Sequence, residues 1–222
     1  MHYVQRQRKR KHRTWPKRIG TKKQIHADAE VQERAPYLSP FSSLCRENAP
    51  KKDYFKLLKR CLRLQSLTII TESQSPENLI KQTKTTISRE NDAPFSAIYY
   101  VVDVDDTSDE QFRQAFKAAK DATNRKTEYH FVVSHESFEA WLLAHFEDIR
   151  NKNIPRKTMG EKLQGGERLN GKRVSDKFPV EDYEQAVERV THCAFDEVNR
   201  ETTSTAMPHL ITELIKLKPK PK

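Results

Sequence analysis

The chain has 222 residues, of which 35% are hydrophobic and 32% are charged, and its formal net charge is +10. This length allows one ordinary domain with appendages, and the polar composition predicts that part of the chain is not packed. The absence of a long apolar run argues against a membrane span, and three cysteines without a CxxC pair argue against a zinc site or disulfide framework and favour a reducing cytoplasm.

The first 23 residues contain ten lysines and arginines and no acidic residue, so the whole charge excess lies there. We expect residues 1–40 to be a basic arm and linker that is disordered when free, because such a segment repels itself. Interleaved aromatic rings favour contact with nucleic acid, and a solvated tail that aids solubility is the alternative. The cations predicted to bind phosphate are Arg8, Lys9, Arg10, Lys11 and Arg13.

The segments that follow alternate between strand and helix patterns. Short apolar or β-branched runs predict strands at 41–45, 67–71, 97–102 and 129–133. Helical spacing of apolar residues predicts helices at 53–64, from Pro76 to about 87, at 108–124 and at 136–148. This alternation predicts an α/β domain over residues 41–148, with a mainly parallel sheet and helices on both faces.

The last third of the chain has a different pattern. Residues 149–178 are rich in Lys, Arg and Gly, which is typical of a long surface excursion. Two final helices are predicted at 180–195 and 206–216. We therefore expect residues 149–222 to form a C-terminal helical extension with a basic loop and tail.

An acidic cluster directly follows the apolar strand AIYYVV. Asp103 and Asp105 alternate along the chain, so both are expected to point to one side at the carboxyl end of a central strand, with Asp106 beside them. Carboxylates this close repel each other unless a cation lies between them, and hard oxygen ligands suit Mg²⁺ or Mn²⁺. The alternative is a solvated turn of helix-capping residues before the next helix.

Glu139 is the second unusual acidic residue. It is followed at +3, +4 and +7 by Leu142, Leu143 and Phe146, so it lies on the apolar face of its predicted helix. A buried carboxylate is costly unless it is paired or binds a metal. The alternative is a glutamate that compensates the positive end of the helix with its head in water. We expect Trp141, Leu142 and Leu143 to lie in the core, and the nearby histidines to be structural or exposed.

Three stretches resemble successive blocks of the RloB family. They read VVDVDDTSDEQFRQAFKAA, VVSHESFEAWLLAHFED and TTSTAMPHLITEL, and together with DYFKLL the likeness covers residues 45–217. The most specific match is Phe138-Glu139-x-Trp141-Leu142-Leu143-x-His145-Phe146. The resemblance implies a Toprim-like fold and a metal-dependent nuclease of bacterial phage defence. Members of the family, including AbiL-type toxins, are typically paired with an ATPase of the ABC or OLD-like kind.

The chain departs from the family pattern in two blocks. The family's first block reads Cys-Glu-Gly, and alignment on the later Tyr-Phe brings Arg46 to the acidic position, with Glu47 one step later. Either Glu47 fills that role or the first carboxylate is missing, and Glu72 is a weaker substitute. The second departure is SHES at 134–137, where the family commonly has Ser-Asn-Pro-Cys.

These residues support two hypotheses. In the first, the chain hydrolyses phosphodiester bonds of DNA or RNA, and the resemblance implies Glu47, Asp103, Asp105 and Glu139 as catalytic residues. The metal ligands would be Asp103, Asp105, Asp106 and Glu139, while Lys51 and Lys52 contact the phosphate backbone. In the second, motivated by Arg46, the chain is an inactive subunit that binds or senses nucleic acid beside an ATPase, and a salt bridge replaces the metal.

Overall fold

The structure is a computed structural model that describes residues 37–40, 49–71, 74–90, 95–104 and 107–219, with backbone alone at 37–40 and 87–90. All of these residues belong to one compact unit. Among them, no helix is both long enough and apolar enough to cross a bilayer.

The first half of the described chain alternates strictly between strand and helix. Its elements are β1 (Tyr37–Pro40), α1 (Ala49–Leu62), β2 (Thr68–Ile69), α2 (Pro76–Glu90), β3 (Ala97–Asp103), α3 (Asp109–Ala122) and β4 (Glu128–His135). Helix α2 begins at the predicted proline, and Ser108 caps α3 through a capping box with Gln111.

The second half consists of shorter elements. They are α4 (Glu139–Ala144), α5 (Arg156–Leu163), β5 (Leu169–Asn170), β6 (Arg173–Val174), a 3₁₀ turn (Val180–Asp182), α6 (Tyr183–Glu188), β7 (Thr191–His192), β8 (Ser204–Thr205) and α7 (Met207–Ile215).

The main sheet has the strand order β2-β1-β3-β4-β8-β7. Strands β1 to β4 are mutually parallel, β8 pairs antiparallel with β4, and β7 is parallel to β8. Strands β5 and β6 form a separate antiparallel pair. The predicted α/β class with a mainly parallel sheet is therefore confirmed.

Strand β3 divides the core into two layers, because its successive side chains point to opposite faces. Tyr99 and Val101 join the larger cluster, which contains α1, α4 and the C-terminal helices. Tyr100 and Val102 join the smaller cluster under α2 and α3. The whole of β3 is buried, as expected for a strand covered on both faces.

Several predicted boundaries were wrong. Residues 37–40 form β1, although the sequence predicted a linker there, and the strand predicted at 41–45 lies outside the described residues. The segment 149–178 is not only a surface excursion: it contains α5 and the β5–β6 pair, and Met159 and Leu163 are fully buried. The helix predicted at 180–195 ends at Glu188 and gives way to β7.

The C-terminal third shares the core of the sheet. Leu210 and Leu214 of α7 belong to the same cluster as Val101 and Val132. Strands β7 and β8 extend the main sheet beyond β4. Residues on both sides of position 148 contribute to this core cluster. The proposed division at residue 148 stays a prediction.

An aromatic cluster attaches α1 to α4. The Tyr54 ring meets Phe138, Trp141 and His145 edge-on at centroid distances of 5.7, 6.3 and 5.6 Å. The His145 Nδ1 lies 3.1 Å from the Trp141 carbonyl oxygen, an arrangement that suits a neutral ring donating from Nδ1. Burial lowers the pKa of His145 to about 4, so the ring stays neutral in the folded protein.

This cluster predicts an acid-sensitive fold. Between pH 6.5 and 4 the unfolded chain protonates residue 145 while the folded protein does not, so the free energy of unfolding falls as the pH falls through this window. The loss that this histidine contributes is about 3 kcal/mol. Urea unfolding at pH 7 and pH 4.5 should therefore show a smaller loss for His145→Gln than for the unsubstituted protein.

His130 offers a control of opposite sign. The Asp196 carboxylate, 3.3 Å from Nδ1, raises the pKa of His130. The stabilisation from this pair is present at low pH and is lost as the pH rises through the raised pKa. His130→Gln should therefore destabilise the protein more at pH 5 than at pH 8.

An unchanged pH dependence in His145→Gln would show that the buried histidine is not the acid-sensitive group.

Candidate functional site at the carboxyl edge of the sheet

Strand β3 ends with a buried carboxylate. Asp103 has the same parity as Tyr99 and Val101, so its side chain lies on the face that α1 covers. Only 6% of its surface is exposed. Because the whole of β3 is buried, its last residue places a carboxylate in the interior at the carboxyl edge of the sheet.

The described residues include two groups that compensate this charge. The Lys51 Nζ lies 2.8 Å from Asp103 Oδ2, and the side chains are 4% and 6% exposed. The Phe138 backbone N–H donates to Asp103 Oδ1 at 2.9 Å. One carboxylate therefore joins the first turn of α1, the end of β3 and the residue before α4. Charged groups buried in this way need such partners, because their desolvation is costly.

The contact from Phe138 brings the start of α4 to Asp103. Glu139 is the next residue and the first of α4, and its side chain is half-buried. Trp141, Leu142 and Leu143 are fully buried, as predicted. The structure therefore brings two of the predicted acidic residues, Asp103 and Glu139, to the same edge.

Polar contacts between β4 and β8 form the neighbouring part of this edge. Ser134, which is paired with Asp103 across the sheet, has its Oγ 2.7 Å from Thr205 Oγ1. The His135 Nδ1 lies 2.7 Å from the Thr202 carbonyl oxygen. The next peptide bond, between His135 and Glu136, is cis. These contacts fix the turn that leads from β4 into α4.

The other predicted site residues lie outside the described part of the chain. They are Glu47, Asp105, Asp106, Arg46, Glu72 and the arm cations Arg8, Lys9, Arg10, Lys11 and Arg13. Their roles stay predictions.

Lys51 lies in an environment that the sequence analysis did not predict. Its side chain is buried against Asp103, and its predicted contact with a phosphate backbone stays a prediction. Lys52, the next residue, is half-buried. The pattern that signals the burial was available: Tyr54, Phe55 and Leu58 follow Lys51 at +3, +4 and +7, so the lysine lies on the apolar face of α1.

The donor chemistry at this edge fits a hard cation in type. Mg²⁺ prefers oxygen ligands and is usually held by one or two carboxylates with water completing the shell, a requirement that Asp103 and Glu139 meet in kind. Within the described ranges, no group of three or more His, Cys, Asp or Glu residues forms a metal site. The Lys51 ammonium is already in contact with Asp103 Oδ2 and would share that oxygen with a bound cation.

The buried pair predicts strong coupling between Lys51 and Asp103. Lys51→Met removes a charge that compensates a buried carboxylate, and we expect the free energy of unfolding to fall by about 3 kcal/mol. The double variant Lys51→Met/Asp103→Leu removes both charges and should recover most of that loss. Urea unfolding of the two single variants and the double variant measures the coupling.

An exposed ion pair provides the matched control. Arg150 and Asp148 pair at 2.5 Å with side chains 57% and 48% exposed, so Arg150→Met should change the free energy of unfolding far less than Lys51→Met does. Additive losses in the Lys51 and Asp103 variants would contradict the coupling.

Comparison with known proteins places the chain in a family. No curated protein and no solved structure matches the chain. A family model described as RloB-like protein matches residues 45–214, which are 170 of the 222 residues. The match includes α1, β3 and α4, the elements that carry the buried carboxylate and its partners. The chain therefore belongs to the RloB-like family.

Proposed function

We propose that this protein is a metal-dependent nuclease with a Toprim-like fold that acts as the effector of a bacterial anti-phage system. The observation that carries the proposal is the buried Asp103 carboxylate at the carboxyl end of β3, hydrogen-bonded to the residue that precedes Glu139. In parallel α/β sheets this edge is where ligands bind. Membership of the RloB-like family supports the same reading.

Asp103 and Glu139 would hold Mg²⁺ or Mn²⁺, together with the predicted ligands Asp105 and Asp106 and with Glu47 as a further catalytic residue. The bound metal would polarise the phosphate, activate water and stabilise the leaving oxygen. The contribution of the protein is orientation. The Phe138 N–H fixes one oxygen of Asp103, the Lys51 ammonium balances its charge, and the Ser134–Thr205 contact fixes the adjacent strand.

The cellular setting of this proposal comes from the family resemblance. We propose a cytoplasmic protein that cooperates with an ATPase of the ABC or OLD-like kind and cuts DNA or RNA. The basic arm would add affinity for the phosphate backbone.

Cleavage assays test the enzyme. Duplex DNA, single-stranded DNA and tRNA are incubated with the full chain in Mg²⁺ or Mn²⁺, and the products are resolved on denaturing gels. We expect Asp103→Asn and Glu139→Gln each to lower the cleavage rate by about 100-fold or more, since each removes a carboxylate from the metal.

The matched control is Glu110→Gln, which removes an exposed carboxylate from the first turn of α3 and should leave the rate unchanged. Full activity in Asp103→Asn and Glu139→Gln would refute the proposed site.

A second candidate is an inactive subunit that binds or senses nucleic acid. The observation that favours it is the Lys51–Asp103 pair, because an ammonium 2.8 Å from Asp103 Oδ2 already supplies the positive charge that a metal would bring. In this reading the ion pair maintains the fold, and the surrounding protein binds nucleic acid beside its ATPase.

Metal titration separates the two candidates. If the protein binds Mn²⁺, a concentration 100 times the dissociation constant should stabilise it by about 2.7 kcal/mol, and Asp103→Asn should abolish the effect. The second candidate predicts an unchanged Tm in Mn²⁺ and nucleic-acid binding that persists in EDTA. Stabilisation of the unsubstituted chain but not of Asp103→Asn would exclude the second candidate.

A further inference from the structure

Helix α1 carries a line of cations on its solvent side. Lys52, Lys56 and Arg60 are four residues apart, so they lie on one face with a rise of about 6 Å between neighbours. Lys52 is half-buried, and Lys56 and Arg60 are exposed. The opposite face of the helix packs into the core through Tyr54, Phe55 and Leu58. These three cations are called the α1 stripe below.

The charge of the α1 stripe is not neutralised by its own helix. Asp53 is the one acidic residue in the α1 sequence, and Arg173 of β6 engages it, with Nη2 2.9 Å from Asp53 Oδ1. The Arg173 side chain remains 68% exposed and pairs with Asp53, the residue that follows the stripe's first member in sequence. The Asp53 carboxylate is therefore paired with Arg173. The exposed Arg173 guanidinium and the α1 stripe both contribute positive charge to the surface.

Helix α3 shows the opposite arrangement with similar cations. Arg113 pairs with Glu110, and Lys117 pairs with Asp121 at 2.8 Å. Each of these cations therefore has an acid one turn away. Among the described residues, the ion pairs include none with Lys52, Lys56 or Arg60. The like charges on this face of α1 repel one another, and an anionic partner that covers the face would offset this repulsion.

The α1 stripe begins at the candidate site. Lys51, whose ammonium contacts Asp103, directly precedes Lys52. The stripe then runs along α1 away from the carboxyl edge of the sheet, because β1, which leads into α1, is parallel to β3. A strand of phosphates lying along the stripe would thus end at the same edge of the sheet as Asp103.

We propose that the α1 stripe is the track that binds the phosphate backbone of a nucleic acid and leads it to the Asp103 edge. This inference rests on the proposed function, since it assumes a nucleic-acid ligand, but it holds for either the cleaving or the inactive protein. The contacts are ionic and carry no sequence information. Such contacts weaken with salt, and the slope of log K against log salt is proportional to the number of phosphates that the cations neutralise.

Salt titration of binding tests the track. Fluorescence anisotropy measures the affinity of the full chain for a labelled 30-base-pair DNA duplex in EDTA, over a series of salt concentrations. The triple variant Lys52→Gln/Lys56→Gln/Arg60→Gln should bind more weakly, and the slope of log K against log salt should become shallower by about 2.7. With a single-stranded RNA probe, the same slope should become shallower by about 2.1.

The matched control removes the same charge elsewhere. Arg113→Gln/Lys117→Gln/Lys120→Gln takes three exposed cations from α3 and should leave the slope unchanged. The basic arm is intact in both triple variants, so its contribution to the slope is the same in each. Equal losses in both triple variants would mean that net charge alone sets the affinity, which would overturn the inference.

Cys61 provides an independent reporter on the same helix. Its thiol is exposed and follows Arg60, whereas Cys193 is buried. Saturating DNA should protect Cys61 from iodoacetamide, with the modified peptides identified by mass spectrometry. A complex that leaves Cys61 as reactive as in the free protein would overturn the track.

The outcomes distinguish this inference from the proposed function. Binding with the expected slope change but without cleavage would support the track and refute the nuclease proposal. Cleavage with an unaltered slope in the stripe variant would support the nuclease proposal and refute the track. A chain that binds neither probe but binds phosphatidylserine vesicles through the stripe would overturn the assignment to nucleic acid.

Discussion

The ion pair between Lys51 and Asp103 is the constraint on which the rest of the described structure depends. Two opposite charges lie at the junction of α1, β3 and the start of α4, and almost none of either side chain reaches water. Breaking such a pair leaves a charge without compensation in the interior, whereas replacing both members with apolar groups is often tolerated. The packing of Tyr54 against Phe138 and Trp141 also holds α1 against α4 by apolar contact. The charged edge is therefore built on a rigid aromatic base, as a site that binds or cleaves requires.

The first half of the fold could be predicted from local patterns. The apolar run of β3, the helical spacing of α3 and the alternation of strand and helix each reflect short-range physics, and together they predicted the parallel sheet. The carboxylates at 103 and 139 could be found because a charge in an apolar pattern is conspicuous. Lys51 lies in the same kind of pattern on α1, but its burial was not predicted, because a lysine beside another lysine suggests a surface. The ion pair itself could not be predicted, because it joins residues 52 positions apart that only the completed sheet brings together.

The second half follows different physics. Strands β7 and β8 have two residues each, too few to show any periodicity, and their existence depends on the exposed edge that β4 offers. The glycine- and lysine-rich composition of 149–178 suggested a surface loop, yet Met159 and Leu163 insert into the main core. A few apolar residues in a polar segment determine its packing more than the average composition does. The same segment supplies Arg173, the partner of Asp53 on α1. Burial and pairing at these positions are properties of the tertiary structure.

The antiparallel pairing of β8 with β4 also has a consequence for biosynthesis. Thr205 pairs with Ser134, so about seventy further residues must leave the ribosome before the β4 edge has its neighbour. During that interval the nascent chain presents a buried-type strand with unsatisfied backbone groups, which is a template for association with other chains. Contacts of such long sequence separation also slow the final step of folding. A shortened chain that ends before Ser204 would keep this edge exposed permanently, so the last nineteen residues of the polypeptide protect it against aggregation.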